Sequence, residues 1–110
     1  MSGIITAVRK SLRLPKLEDH VRIYNASEPG SEKRRNALWG IRDCAEKKKN
    51  PGELIQLGVI DIMIKVINDK KDDERLWALW VIRYLADYEE AATLILQEPN
   101  AIEGLVRWEF

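Results

Sequence analysis

The sequence predicts an all-α chain built from a repeated unit, stacked as a short α-solenoid of about two to two-and-a-half helical repeats. Two recurrences and one common period lead there. The stretch ALWGIRDCA, from Ala37 to Ala45, returns as ALWVIRYLA from Ala78 to Ala86, with six of nine positions identical at a spacing of 41 residues. A second block recurs at a spacing of 42, which aligns Ile60, Met63, Ile64 and Lys65 with Ile102, Leu105, Val106 and Arg107. Every long apolar segment fits a helical period, and an all-helical unit of this length lies in the range of stacked helix repeats.

The chain begins with MSGIITAVRKSLRLPK, which carries Arg9, Lys10, Arg13 and Lys16 with no acid and places Ile4, Ile5, Val8 and Leu12 on one helical face. Residues 1–15 are therefore expected to form a basic amphipathic arm or the first helix of the stack, ahead of a repeat domain over residues 16–110. A mitochondrial targeting helix is the alternative reading of the same pattern. Ser31, after Pro29-Gly30, is the expected N-cap of a long helix running to about Lys49, where three lysines suit a helix C-terminus. Asn50-Pro51 reads as cap and first residue of a short helix closed by Gly58.

The segment VIDIMIKVIND alternates apolar and polar residues as a strand would. Read as a helix, it buries two stripes and leaves Asp61, Lys65 and Asn68 as its polar ridge. The helix wins, because the recurring block AIEGLVRWEF lacks the alternation. DKKDD supplies a turn and an Asp cap before ERLWALWVIRYLADY, whose Arg75, Arg83 and Asp87 form a narrow polar ridge on a helix expected to be largely buried. YEEAATLILQ follows, then a break at Pro99-Asn100.

Composition narrows the chemistry. With 110 residues, 45% apolar content and four Trp, the chain suits one ordered domain near the lower size limit for a self-sufficient core. One Cys and one His leave no tetrahedral zinc site and no internal disulfide. Cys44 sits at an apolar repeat position and reads as a buried, inert thiol. His20 stands beside Asp19, but no motif places a nucleophile near it, so it reads as a surface or interface histidine. A Gly-rich phosphate loop, a nucleophile elbow and a metal-ligand cluster are all missing, so no enzyme, cofactor or metal is expected. No run of about 18 apolar residues spans a membrane.

Formal charge is zero but unevenly spread. Residues 1–50 hold 12 basic and 6 acidic side chains, and residues 51–110 hold 6 basic and 12 acidic. Such a dipole can steer a partner or favour head-to-tail contact between copies. A nucleic-acid binder would be basic overall, so nucleic acid is not the favoured partner.

GVIDIMIKVI and NAIEGLVRW resemble the second helix of an armadillo repeat, of pattern G-x-I-x-x-L-V-x-L-L. ALWGIRDCA and ALWVIRYLA resemble its long third helix, of pattern A-x-W-A-L-S-N-I-A. The resemblance covers residues 31–110, with Leu17 to Ala26 as a degenerate second helix of an earlier unit; HEAT repeats share the architecture and are the nearest alternative. The resemblance implies a right-handed superhelix whose third helices line a concave groove that binds extended peptides. In the importin-alpha branch a Trp of that helix forms slots for Lys side chains and an Asn four residues later clamps the peptide backbone. Trp39 and Trp80 hold the Trp position, whereas Asp43 and Tyr84 replace the Asn. An ionised Asp only accepts hydrogen bonds and a Tyr hydroxyl lies farther out, so this departure argues against nuclear-signal recognition. Trp39 with Asp43 could still hold a Lys or Arg. Equally, a Trp repeated at a fixed place is what packing between repeats requires.

These features point to a non-catalytic protein–protein interaction module in the cytoplasm, or in mitochondria on the alternative reading of residues 1–15. Other protein subunits or an extended peptide are the expected partners. The candidate groove residues are Trp39, Arg42, Asp43, Trp80, Arg83 and Tyr84, with Arg42 and Arg83 equally open to solvation or local pairing. A second site is expected at the last unit, which lacks a third helix to cover its second. Leu105, Val106, Trp108 and Phe110 would be exposed there as anchors for another chain.

Overall fold

The computed structural model describes residues 15–48, 50–69, 72–98 and 101, and among these residues it contains six helices and no strand. They are α1 (Leu17–Ala26), α2 (Glu32–Lys48), α3 (Pro51–Gln56), α4 (Val59–Asp69), α5 (Asp73–Leu85) and α6 (Glu89–Gln97). Residues 1–14, including the amphipathic stripe of the basic arm, and residues 102–110 lie outside the described part.

Local chemistry sets the boundaries. Lys16 donates its backbone N–H to the Asp19 carboxylate at 2.9 Å, closing the start of α1. The Ser31 hydroxyl accepts the N–H of Arg34 at 3.1 Å, Asn50 Oδ1 accepts that of Glu53 at 3.2 Å, and the Asp72 carboxylate accepts that of Glu74 at 3.0 Å. Each cap satisfies a donor that the first helical turn leaves free; those at Ser31, Asn50 and the aspartates before α5 were expected from the sequence, and the Lys16–Asp19 closure was not. Between α3 and α4 the chain reverses at Gly58, whose φ of +77° suits a residue without Cβ.

α4 settles the strand-or-helix question by its surroundings. Val59, Ile60, Ile62, Met63, Ile64, Val66 and Ile67 are all buried, while Asp61 and Lys65 are exposed and joined at 3.2 Å. A two-faced apolar helix needs neighbours on both sides. α4 packs on α5 and touches α3 and α6. Each fully buried Val, Ile or Met contributes about 1.5–3 kcal/mol of gross transfer free energy, so this element anchors the core.

Three pairings carry the architecture: α1 on α2, α4 on α5, and α2 beside α5. The core is apolar throughout, with no buried polar side chain among the described residues. Its repeated members, Ala37 with Ala78 and Ile41 with Ile82, occupy equivalent places on α2 and α5. The repeat is not uniform, however. Leu38 is fully buried while its counterpart Leu79 is half-buried; Leu85 is buried while its counterpart Cys44 is half-buried. Cys44 is thus less covered than its sequence position suggested. α5 as a whole is also less buried than its composition implied, because Leu76 is 59% exposed.

The seam between α1 and α2 explains why the first copy reads ALWG and the second ALWV. A Cβ on Gly40 would fall on the His20 imidazole, so glycine there is a condition of the close approach. His20 is itself half-buried at this contact. Gly40→Ala should therefore destabilise the wild-type protein by about 1 kcal/mol or more, overpacking outweighing the gain in helix propensity. In a His20→Ala background the same change should instead stabilise, by up to about 1 kcal/mol. Denaturant unfolding of the four proteins reads this reversal of sign, and an unchanged sign would remove the His20 contact as its cause.

Burial holds the His20 pKa below its ordinary 6.5, against the opposing pull of Asp19 and Asp43. The fold thus favours the neutral imidazole, whereas the unfolded chain binds a proton as the pH drops through about 6.5. The contribution of this group is complete above about pH 6.5 and is lost as the pH falls through the lowered folded value. Melting temperatures of wild type and His20→Asn should therefore diverge in pH dependence on acidification below 6.5, the wild type showing the steeper fall.

Candidate functional site

The third-helix positions predicted from the repeat fall on α2 and α5, which lie side by side. Helical spacing places Arg35, Leu38, Arg42 and Ala45 along one stripe of α2. Two of these cations reach the aromatic residues of α5. The Arg35 guanidinium lies 4.8 Å from the Trp77 ring centre, and that of Arg42 lies 5.3 Å from the ring centre of Trp80. Contacts of this kind contribute about 0.5–1 kcal/mol when partly exposed.

From Trp80 an aromatic row runs down α5 at intervals of one turn. Trp80 stacks on Tyr84 with 6.0 Å between ring centres and an 11° interplanar angle, and Tyr84 meets Tyr88 edge-on at 5.5 Å. The two tyrosine hydroxyls are 3.4 Å apart. Burial and the Tyr88 hydroxyl push the Tyr84 pKa up to about 12, so its phenol stays protonated at neutral pH.

The two repeated tryptophans differ in setting. Trp39 is 47% exposed, whereas Trp80 is half-buried and packs against the core. Sequence identity around them therefore does not imply equal roles. Trp80 is an interhelical packing residue, although less deeply buried than the apolar character of its helix suggested. Asp43 pairs with Lys47 at 3.2 Å. Arg42 also lies 3.6 Å from Glu46, and Arg83 is exposed. The structure thus joins Arg42, Trp80 and Tyr84 into one row and leaves Trp39 and Arg83 open to solvent. Leu105, Val106, Trp108 and Phe110 lie outside the described residues.

Two features were not legible beforehand. Arg35 is the hub of a cluster with Asp72 at 3.6 Å, Asp73 at 3.4 Å and Glu74 at 3.7 Å, and it covers Trp77 as well. The counterpart of Trp77 in the first repeat is Asn36, so no recurrence marked it. Between α1 and α4 runs a cleft of about 450 Å³, lined by Tyr24, Arg34, Ile62, Lys65, Val66 and Glu74 among others. Arg34 lies over Tyr24 at 4.2 Å, and its buried Nε has no hydrogen-bond acceptor among the described residues. Both charge signs line this cleft, which leaves it without selectivity for either. The described residues contain no cluster of His, Cys, Asp or Glu suited to a metal ion and no helix long and apolar enough to cross a membrane.

These settings predict unequal costs of truncation. Trp39→Ala should cost about 1–2 kcal/mol, since roughly half its surface is already in water. Trp80→Ala should cost about 2–4 kcal/mol, losing burial, the Tyr84 stack and the Arg42 contact together. Denaturant unfolding of both variants checks the order, and an Arg42→Ala/Trp80→Ala double-mutant cycle should return a coupling of about 0.5–1 kcal/mol.

No protein-family model matches this chain, and neither a curated protein nor a solved structure shows significant similarity to it.

Proposed function

We propose that this chain is a non-catalytic protein–protein interaction module that packs as an accessory subunit into a larger protein assembly, with its helices stacked in the armadillo manner. The observation that supports this reading most is the set of large apolar side chains left in water. Leu96 is 65% exposed, Leu76 59%, Trp39 47% and Tyr88 38%, and they are distributed over α2, α5, α6 and the turn between the last two. Isolated exposed leucines are ordinary, but several on the outer sides of successive helices suit a protein whose faces are covered in a complex. The pairing of α1 with α2, α4 with α5 and α2 with α5 is the order that stacked armadillo-like units would have.

A free adaptor that holds an extended peptide in the concave groove is the competing reading, favoured by the row Trp80, Tyr84, Tyr88. Two contacts count against it. The chain's own Arg42 lies over Trp80, where a ligand cation would sit, and Asp43 is engaged by Lys47. The groove supplies its own cation.

Affinity capture from the native source, with mass spectrometry, tests the subunit reading. The wild-type chain should recover a defined set of proteins in constant stoichiometry. Leu96→Asp, on the exposed side of α6, should lose them while keeping the wild-type melting temperature within a few degrees. Recovery of no constant partner, or equal recovery by the variant, would count against packing through this face.

A further inference from the structure

The contact between α2 and α5 has a donor side and an acceptor side, and the repeat duplicates both. On α2 the donor stripe is Arg35, Leu38, Arg42 and Ala45; Leu38 and Ala45 are buried, and both arginines lie over aromatic rings of α5. The same stripe on α5, 41 residues on, is Leu76, Leu79, Arg83 and Ala86. There Leu76, Arg83 and Ala86 are exposed and Leu79 is only half-buried. The acceptor side of α5 is Trp77, Trp80 and Tyr84. Its equivalents on α2 are Asn36, Trp39 and Asp43, of which Asn36 and Trp39 are exposed and Asp43 is half-buried.

We infer that a second copy of this chain docks head to tail, the donor stripe of α5 in one copy against the acceptor face of α2 in the next, so that Arg83 lies over Trp39 as Arg42 lies over Trp80. The chemistry fits this occupant in two respects. Arg83 gains a Trp face and, one turn farther along α2, a share of the Asp43 carboxylate that Lys47 also contacts at 3.2 Å, where the internal rung has Tyr84. The donor face belongs to the half of the chain with net charge minus six and the acceptor face to the half with plus six, so approach in this orientation is attractive. The lower rung is not reproduced, because Leu76 and Asn36 replace Arg35 and Trp77. Association therefore hangs on the upper rung and on burial of Leu76 and Leu79. An interface of this kind is heterologous and does not close by symmetry, so the assembly grows with concentration.

The inference goes beyond the subunit reading and fails separately from it, since purified protein alone is measured and Leu96 is untouched. Sedimentation velocity on the full chain should show an average mass that rises with concentration up to about 1 mM. Trp39→Ala and Arg83→Glu change exposed residues, and cooperative thermal melts confirm that both fold. Each should weaken association by about tenfold, the cation–π contact being lost together with the Trp39 burial in one variant and with the charge reversed beside Asp43 in the other. The two variants block opposite faces, so an equimolar mixture should form a 1:1 dimer, the Trp39→Ala copy donating through Arg83 and the Arg83→Glu copy accepting through Trp39. A wild-type protein that stays monomeric overturns the inference. So do variants that associate as the wild type does, or a mixture no heavier than its components.

Discussion

The side-by-side packing of α2 and α5 is the constraint on which the rest of the structure depends. Each of these helices has a partner from its own neighbourhood, α1 for α2 and α4 for α5, and a unit of two helices is well below the size at which a core is self-sufficient. Joining them through the repeated Ala-Leu-Trp-x-Ile-Arg segments makes one continuous core. Ala37, Ala45 and Ala78 are small and buried in this core, and Ile41 and Ile82 are buried with them. Arginines at the margin of the contact cover the aromatic rings that would otherwise face water, their aliphatic stems contributing as much as their charge.

Much of this was legible in the sequence because it is local. Caps at Ser31, Asn50 and Asp72 act within three residues, and the helical period of α4 was recoverable once its recurrence was weighed against its strand-like alternation. Burial was harder to read, for a physical reason. Trp39 and Trp80 have nearly identical sequence surroundings, yet Trp80 has α2 beside it and Trp39 has no equivalent helix on that side among the described residues. A repeat makes its units alike in sequence, whereas burial depends on how many neighbours a unit has. Leu76 and Leu79 illustrate the same point at the other side, where an apolar stripe that α2 buries in part is left open on α5. The contact of His20 with Gly40 was hidden for another reason: it joins two helices, and only the substitution of Gly for Val between the copies hinted at it.

Electrostatics has a limited role in holding this fold together. The pairs Asp61–Lys65, Asp43–Lys47 and Arg42–Glu46 are one turn apart on single helices and largely solvated, so each contributes about 0.3–0.5 kcal/mol. The cluster of Arg35 with Asp72, Asp73 and Glu74 is more specific, because it ties α2 to the first turn of α5 and sets one cation among three acids, offsetting part of their mutual repulsion. Those acids also stand at a helix N-terminus, where negative charge is favoured. Their placement fixes the register of α5 along α2 more than it adds to stability, since sliding by one turn would part Arg35 from the acids and from Trp77 at once.

Register and termination are separate problems where two helices pack side by side. The internal contact aligns cation with ring at two successive levels, Arg35 on Trp77 and Arg42 on Trp80, and a helix slipped by one turn would satisfy only one. At the outer faces this double specification is lost. α5 keeps Arg83 but has Leu76 where the second cation would be, and α2 keeps Trp39 but has Asn36 where the second ring would be. A face with one rung can still attract, but it discriminates poorly between registers, and any occupant must gain its specificity elsewhere, from shape around Leu79 or from the carboxylate of Asp43. The departures from perfect repetition thus separate two kinds of face: a firm, doubly specified one inside the chain, and singly specified ones left on its outer sides.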